Sequence, residues 1–378
     1  MKALKGIVIS LFLAGGGISF ALAIAEVFLR VSRIPIARHS DHMFTVIEHD
    51  ARLGWKMKPR IDDIVDLLDT ENIPVRTNSA GLWDKEFSQV KAPGEFRIAL
   101  LGDSITWGYG VAEEERFGNV LERLDTQYEC MNFGIPAYGT DQELLMWRYM
   151  ASQYQPDLVI LTVYSVNDYD DNMSDIRWGR SKPYFEFNTA GDLEMRNLPL
   201  PKTTFWDHGI MHEIAPPYRS LCSQTVERRS RIADWLVKHS DVVRLIYTAS
   251  NRRTSASGNT SDASPVPKEV PVSPKQEMEI RLLNTLVKKL AAEVTAKNSR
   301  FLVVLAGPFG VPYSHLTNEL SKDQVPYLDV TSHKLQQELG GGENRVYLPY
   351  SGHWTVAANK AVPDLLHRKI TEMRVVKP

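Results

Sequence analysis

Five short apolar runs, at residues 96–101, 128–133, 157–164, 300–306 and, more weakly, 325–330, constrain this chain more than any other feature. Between them lie segments with helical period. In 141–154 the side chains of Leu144, Leu145, Tyr149 and Met150 share one face, and in 274–298 Leu282, Leu286, Leu290 and Val294 recur every four residues. Apolar strands that alternate with amphipathic helices fold as a parallel sheet covered on both faces. In such sheets ligands bind at the carboxyl ends of the strands, so the pattern also says where function must be sought.

Composition narrows the class. The chain has 378 residues, 43% hydrophobic and 24% charged, which excludes a wholly disordered, collagen-like or coiled-coil protein. Forty-four Lys and Arg against 46 Asp and Glu leave a net charge of -2, so no positive field draws the chain onto nucleic acid. Two cysteines, Cys130 and Cys222, make neither a disulfide framework nor a four-cysteine zinc site, and packing is their expected role.

Residues 6–25 carry no charge and follow Lys2 and Lys5. Twenty helical residues rise about 30 Å, the thickness of a bilayer core. A transmembrane anchor over 6–29 is expected, the alternative being a signal peptide cleaved after Ala23-Ile24-Ala25. Lys2 and Lys5 on one side and Arg30, Arg33 and Arg38 on the other leave the positive-inside rule undecided. The short charged tail before the apolar segment resembles an export signal, which puts the bulk of the chain outside the cytoplasm. Residues 30–95 read as a polar connector with a turn at Asn78-Ser79-Ala80-Gly81, and 96–378 as one domain. That domain is interrupted near 170–231 by a Pro-containing aromatic stretch suited to a lid, and near 255–274 by a Ser/Pro/Thr-rich insertion.

The first apolar run ends in Gly102-Asp103-Ser104-Ile105-Thr106. This is not a G-x-S-x-G elbow, since position 106 is Thr, and in isolation it reads as a turn. Its companions change the reading. The second run ends in Asn132-Phe133-Gly134, the third in Asn167-Asp168, and Gly352-His353-Trp354 precedes a C-terminal helical pattern. All four lie on one edge of the expected sheet. A serine hydroxyl, a glycine N–H, an asparagine amide and a histidine are the groups acyl transfer requires: a nucleophile, its base, and donors for the tetrahedral oxyanion.

With these residues in this order, the chain from about 96 to its end resembles the SGNH (GDSL-type) hydrolase family. The resemblance implies a three-layer α/β sandwich with a flavodoxin-like parallel sheet, and an esterase needing neither cofactor nor metal. It makes Ser104 the nucleophile and first oxyanion donor, Gly134 and Asn167 the further donors, and His353 the general base. The N-terminal segment, Gly54-Trp55 and Asn78-Ser79-Ala80-Gly81 also resemble membrane-anchored bacterial members.

The family usually carries an Asp two or three residues before the histidine, where this chain has Ser351 and Tyr350. Disabling that acid in a serine-protease triad costs about 10⁴-fold in rate. Three explanations stand: a backbone carbonyl or Ser351 orients His353, an acid from elsewhere such as Glu343 or Asp329 substitutes, or hydrolysis has been lost and only binding kept. The expected function is removal of O-acetyl or similar acyl groups from an extracytoplasmic carbohydrate. Acetyl transfer onto a polysaccharide, or a catalytically inactive glycan-binding or assembly role, are the alternatives.

The remaining candidates have plainer readings. His208 and His212, flanked by Asp207 and Glu213, have the spacing of a helical metal pair, but with no further ligand cluster they read as a polar loop edge. Asp103 and Asp168 read as structural acceptors and Asp141 as a helix cap. Trp107, Tyr138, Tyr164 and Trp354 flank the motifs, as core residues or as walls of an acyl or sugar pocket. Lys288-Lys289 and Arg252-Arg253 read as solvated charges.

Overall fold

The computed structural model describes residues 2–32, 46–67, 69–177, 180–200, 240, 242–243, 273–308, 311–342, 345–348 and 351–375. His208, His212, Arg252-Arg253, Cys222, Glu343, Tyr350 and most of both expected insertions lie outside these residues. The chain divides into two units, residues 1–40 with 227–269, and 41–226 with 270–378.

In the first unit, helix α1 (Lys2–Ser32) covers the uncharged segment. Near its C-terminal end the Glu26 carboxylate accepts hydrogen bonds from Ser240 Oγ (2.9 Å) and Val242 N (3.1 Å). Side chains of α1 are described over 15–29 and at Val31. Among the described residues no helix is long and apolar enough to cross a membrane. The segment expected as a transmembrane anchor is thus a helix. The described stretch opens on Gly15-Gly16-Gly17 and is interrupted by Glu26, which dilutes its apolarity.

The second unit is built on five strands. These are β5 (Phe96–Leu101), β6 (Tyr128–Asn132), β7 (Leu158–Tyr164), β12 (Arg300–Gly307) and β13 (Tyr327–Thr331), ordered β13-β12-β7-β5-β6. Every neighbouring pair is parallel. Because both faces are covered, β7 and β12 are apolar almost throughout, while successive residues still point to opposite sides. Ala99, Leu101, Val159, Leu161, Val303 and Leu305 enter one core; Ile98, Leu100, Leu158, Ile160, Leu302 and Val304 enter the other, with Cys130.

Helices α4 (Thr140–Tyr149), α6 (Pro274–Thr295) and α7 (Val311–Lys322) cover the first face. Helices α3 (Phe117–Glu122), α8 (Ser332–Leu339) and α9 (Val356–Val375) cover the second. Short helices α2 (Ser104–Trp107) and α5 (Asp168–Asn172) follow β5 and β7. Helix α6 starts where the sequence signals it, with Ser273 and Gln276 forming a capping box and Pro274 in the first turn. Its stripe of Leu282, Leu286, Leu290 and Val294 is buried. The three-layer parallel α/β architecture expected from the sequence is thus the observed one.

The segment read as a polar connector departs from expectation. It forms two antiparallel hairpins, β1 (Ile47–Asp50) with β2 (Gly54–Met57) and β3 (Asp62–Val65) with β4 (Ile73–Arg76). Trp55, Met57, Val65, Leu67, Val75, Leu82 and Trp83 from this region all pack into the first core. Four-residue strands are too short to show a period, which is why the pattern went unread. In the described part of the 170–231 insertion, β8 (Ile176–Arg177) pairs with β9 (Arg180–Ser181), and β10 (Tyr184–Phe187) with β11 (Leu193–Arg196).

Candidate active site

The chain leaves β5 for β6 on one side and then crosses to β7 on the other, so the sheet's switch point lies between β5 and β7. Ser104 opens α2 directly after β5 at that point. Gly102 is required by close approach, since a Cβ there would sit 2.1 Å from Thr106 Oγ1. Asp103 caps the short helix by accepting from Ile105 N at 2.9 Å. The turn is stapled to the end of β6 by Asn132, whose Nδ2 donates to Thr106 O at 2.7 Å.

His353 arrives from the far end of the sequence. Tyr347 and Trp354 form an isolated antiparallel bridge that closes a tight loop, with Leu348 N donating to His353 O (2.7 Å) and Gly352 N to Leu348 O (3.1 Å). Tyr164, at the end of β7, donates its hydroxyl to Gly352 O at 2.8 Å. The imidazole stacks on Tyr109 with centroids 4.0 Å apart and planes 20° from parallel. Held this way, His353 Nε2 lies 2.7 Å from Ser104 Oγ. The competing acceptor, Asp103 Oδ2, is 3.4 Å from the same hydroxyl, so the imidazole takes its proton.

Burial pushes the His353 pKa down from 6.5 to about 3, with no charged group contributing. The ring keeps some contact with solvent, but either way it is neutral at pH 7 with Nε2 free to accept. The proton then sits on Nδ1, which has no hydrogen-bond partner. The Ser351 main chain opposes the fall in pKa. The Ser351 carbonyl is thus the acceptor that favours the protonated ring, although among the described residues no partner meets Nδ1 at full hydrogen-bond geometry.

The geometry is that of a serine–histidine dyad at the switch point of a parallel sheet, and residues 100–359 match the GDSL-like lipase/acylhydrolase family. The chain belongs to that family. As a GDSL-like acylhydrolase it is an ester-hydrolysing enzyme. Solved structures with a similar fold include the psychrotrophic esterase EstA from a Pseudoalteromonas species, at 13% identity over 74% of this chain and 99% of that one, TM-score 0.38. A GDSL-like lipase from Bacteroides thetaiotaomicron is 11% identical over 76% and 93%, TM-score 0.36. A two-domain esterase active on acetylated mannans is 11% identical over 75% and 50%, TM-score 0.39. No match was found among curated proteins.

Within this GDSL-like site the expected oxyanion donors are less ready than the dyad. Gly134 packs on the nucleophile turn, where a Cβ would lie 2.5 Å from Trp107 N, but its own N–H donates to Asn132 Oδ1 at 2.9 Å. Asn167 Nδ2 donates to Asp171 Oδ2 at 2.9 Å and also favours the charged form of Asp103. Its amide therefore faces carboxylates. Ala137 is held at φ +62°, a conformation rare for a residue with a Cβ. Its preceding carbonyl, Pro136 O, accepts from Trp55 Nε1 at 3.1 Å, so the peptide's N–H points away from that indole.

Of the three groups expected to orient His353, the structure describes Ser351 and Asp329, and it is the Ser351 main chain that bears on the ring. Asp329 instead accepts from Thr331 N (3.0 Å) and Thr331 Oγ1 (2.7 Å) on its own strand end. Ser351 Oγ meets the backbone N of His353, at 3.4 Å, and not the ring. Glu343 lies outside the described residues.

Asp103 and Asp168 are structural acceptors as expected, the latter taking Tyr164 N at 2.7 Å. Asp141 is not a cap. Gly139 holds that position, and the Asp141 carboxylate grips Lys182 Nζ at 2.6 and 2.9 Å, both side chains fully buried. Burial pushes Asp103 up to about 6, and burial with the charge of Asp168 pushes Glu143 well above the carboxylate range. Trp107, Tyr138, Tyr164 and Trp354 are core residues, at most 5% exposed. Lys288 is tied to Glu319 and Asp323. Among the described residues no group of His, Cys, Asp or Glu has the arrangement of a metal site. A cavity of about 720 Å³ lined by Lys288, Phe301, Val325, Pro326 and Met373 lies at the amino ends of the strands. It is at the opposite end from the dyad and takes no part in its chemistry.

Proposed function

We propose that this acylhydrolase works through an acyl-enzyme on Ser104, with His353 as the base. The observation that carries the reading is the 2.7 Å contact between Ser104 Oγ and Nε2 of a neutral imidazole. His353 takes the hydroxyl proton as Oγ attacks the ester carbonyl, and returns it to the leaving alkoxide. Water, deprotonated by the same nitrogen, then releases the acid. The developing oxyanion is met by the Ser104 N–H, with Gly134 and Asn167 on the same sheet edge as the further donors.

The substrate we propose is an O-acetylated carbohydrate outside the cytoplasm. The uncharged segment 6–25 behind Lys2 and Lys5 supports an exported, tethered location. Labelling by a fluorophosphonate probe, lost in Ser104→Ala and in His353→Ala, is expected of full-length protein. Folded wild type that takes no label would sink the dyad and leave a binding role, the reading favoured by the unaccepted Nδ1 proton. Acetyl esters of sugars should then be cleaved faster than longer acyl esters, with acetate released to water. Capture of the acetyl by an added sugar would make the enzyme a transferase instead.

A further inference from the structure

The tip of the β3–β4 hairpin reaches the imidazole slot from a part of the chain that the motifs never touch. The tip is closed by Leu67 N donating to Thr70 O (2.7 Å) and Asn72 N to Asp66 Oδ1 (2.9 Å), and it is pinned by the fully buried Leu67. Two contacts leave it. Asp69 Oδ2 accepts from Ser351 N at 2.9 Å, and Thr70 Oγ1 donates to Gly110 O at 3.0 Å.

Those two acceptors and donors flank His353. Ser351 begins the turn that presents the ring, and Gly110 follows Tyr109, on which the ring stacks. The three segments pack with no room to spare: a Cβ at Gly110 would lie 2.5 Å from Leu348 Cδ1 and 3.3 Å from Thr70 Oγ1. One hairpin tip therefore holds both walls of the slot in which the imidazole stands.

We propose that Asp69 and Thr70 are positioning residues that hold His353 in line with Ser104, Asp69 through the Ser351 turn and Thr70 through the Tyr109–Gly110 wall. This rests on His353 being the base. The missing acid next to the histidine is thereby answered by a carboxylate that fixes the turn whose Ser351 main chain bears on the ring. A charge-assisted bond to a backbone N–H is short and directional, suited to holding a turn. Misplacement of a catalytic group by about 1 Å can cost on the order of 10²-fold in rate.

The test uses full-length protein and two readouts, the rate of fluorophosphonate labelling at Ser104 and the ¹⁵N NMR titration of the His353 ring. Asp69→Ala should slow labelling roughly 10–100-fold. It should also move the ring's titration up toward 6.5, because a loosened imidazole regains water. Asp69→Asn keeps an acceptor for Ser351 N and should restore most of the rate. Thr70→Val, a milder change for folding, should shift both readouts in the same sense, with Thr70→Ser restoring them. Arg76→Ala, at an exposed ion pair with Asp62 on the same hairpin, is the control and should move neither. Wild-type rates and an unmoved titration in Asp69→Ala and Thr70→Val would overturn the proposal. If wild type itself does not label, the dyad reading fails, and the titration alone decides whether the tip positions the ring.

Discussion

The base of this enzyme should remain uncharged far below the pH at which a free histidine protonates, and activity should persist with it. The perturbation is a titration from about pH 8 to pH 3. Burial lowers the His353 pKa from 6.5 to about 3. In a site closed to water that fall would correspond to roughly 5 kcal/mol set against the imidazolium. The ring is only half-buried, so solvent screening trims this to ~2–4 kcal/mol, and the midpoint still falls well below that of a free histidine. For stability the sign is that of a depressed base. Above about 6.5 both folded and unfolded chains hold the ring neutral and nothing is lost. As pH falls below that value, only the unfolded chain gains the proton, so stability declines until the folded midpoint is reached.

The assay is ¹⁵N NMR of histidine-labelled protein, with His353 assigned by its absence in His353→Gln, alongside the pH dependence of fluorophosphonate labelling. The labelling rate should be level from about pH 8 to pH 5, with its acid limb at the ring's own midpoint. A His353 midpoint at or above about pH 6, with a matching limb, would falsify the reasoning. It would mean that a negative charge faces Nδ1 after all.

Three further outcomes follow from packing. Gly134→Ala should destabilise by about 1–3 kcal/mol in urea unfolding and impair labelling, because its Cβ would meet Trp107 N at 2.5 Å and Thr106 C at 2.8 Å. Ala137→Gly should leave labelling intact and raise stability by up to ~1 kcal/mol, relieving the left-handed backbone at φ +62°; a loss of stability would contradict the strain. Lys182→Met should cost about 3–5 kcal/mol, since it strands the fully buried carboxylate of Asp141. An unchanged unfolding midpoint would show that Asp141 is already neutral.

Sequence reading succeeded where one long element or one strand end carried the information. The runs that became β5, β7 and β12 were legible because burial on both faces leaves no polar interruptions, and α6 because 22 residues give its stripe time to repeat. Ser104 and His353 were legible because strand-end position and residue type suffice to name a nucleophile and a base. What failed depended on partners distant in sequence. Asp141 looked like a cap until Lys182, 41 positions later, was seen to grip it. Gly134 and Asn167 stand at the expected edge, but that their donors rest on Asn132 and Asp171 was not legible in sequence. Ser351, Asp329 and Glu343 were sought near His353 in sequence or in strand order. Asp69, the carboxylate that does bind the Ser351 turn, sat in a stretch whose four-residue strands show no period.

The loop carrying His353 has a bearing on how the molecule is made. Ser104 and His353 are separated by 249 positions, and Asp69 and Ser351 by 282. Contacts of that span are closed late, because the entropy of joining distant segments must be met before they reward it. During synthesis Ser104 emerges long before its base, and until the last turn docks it is an ordinary alcohol. On the proposed mechanism, reactivity at Ser104 waits for the docking of the loop that carries His353.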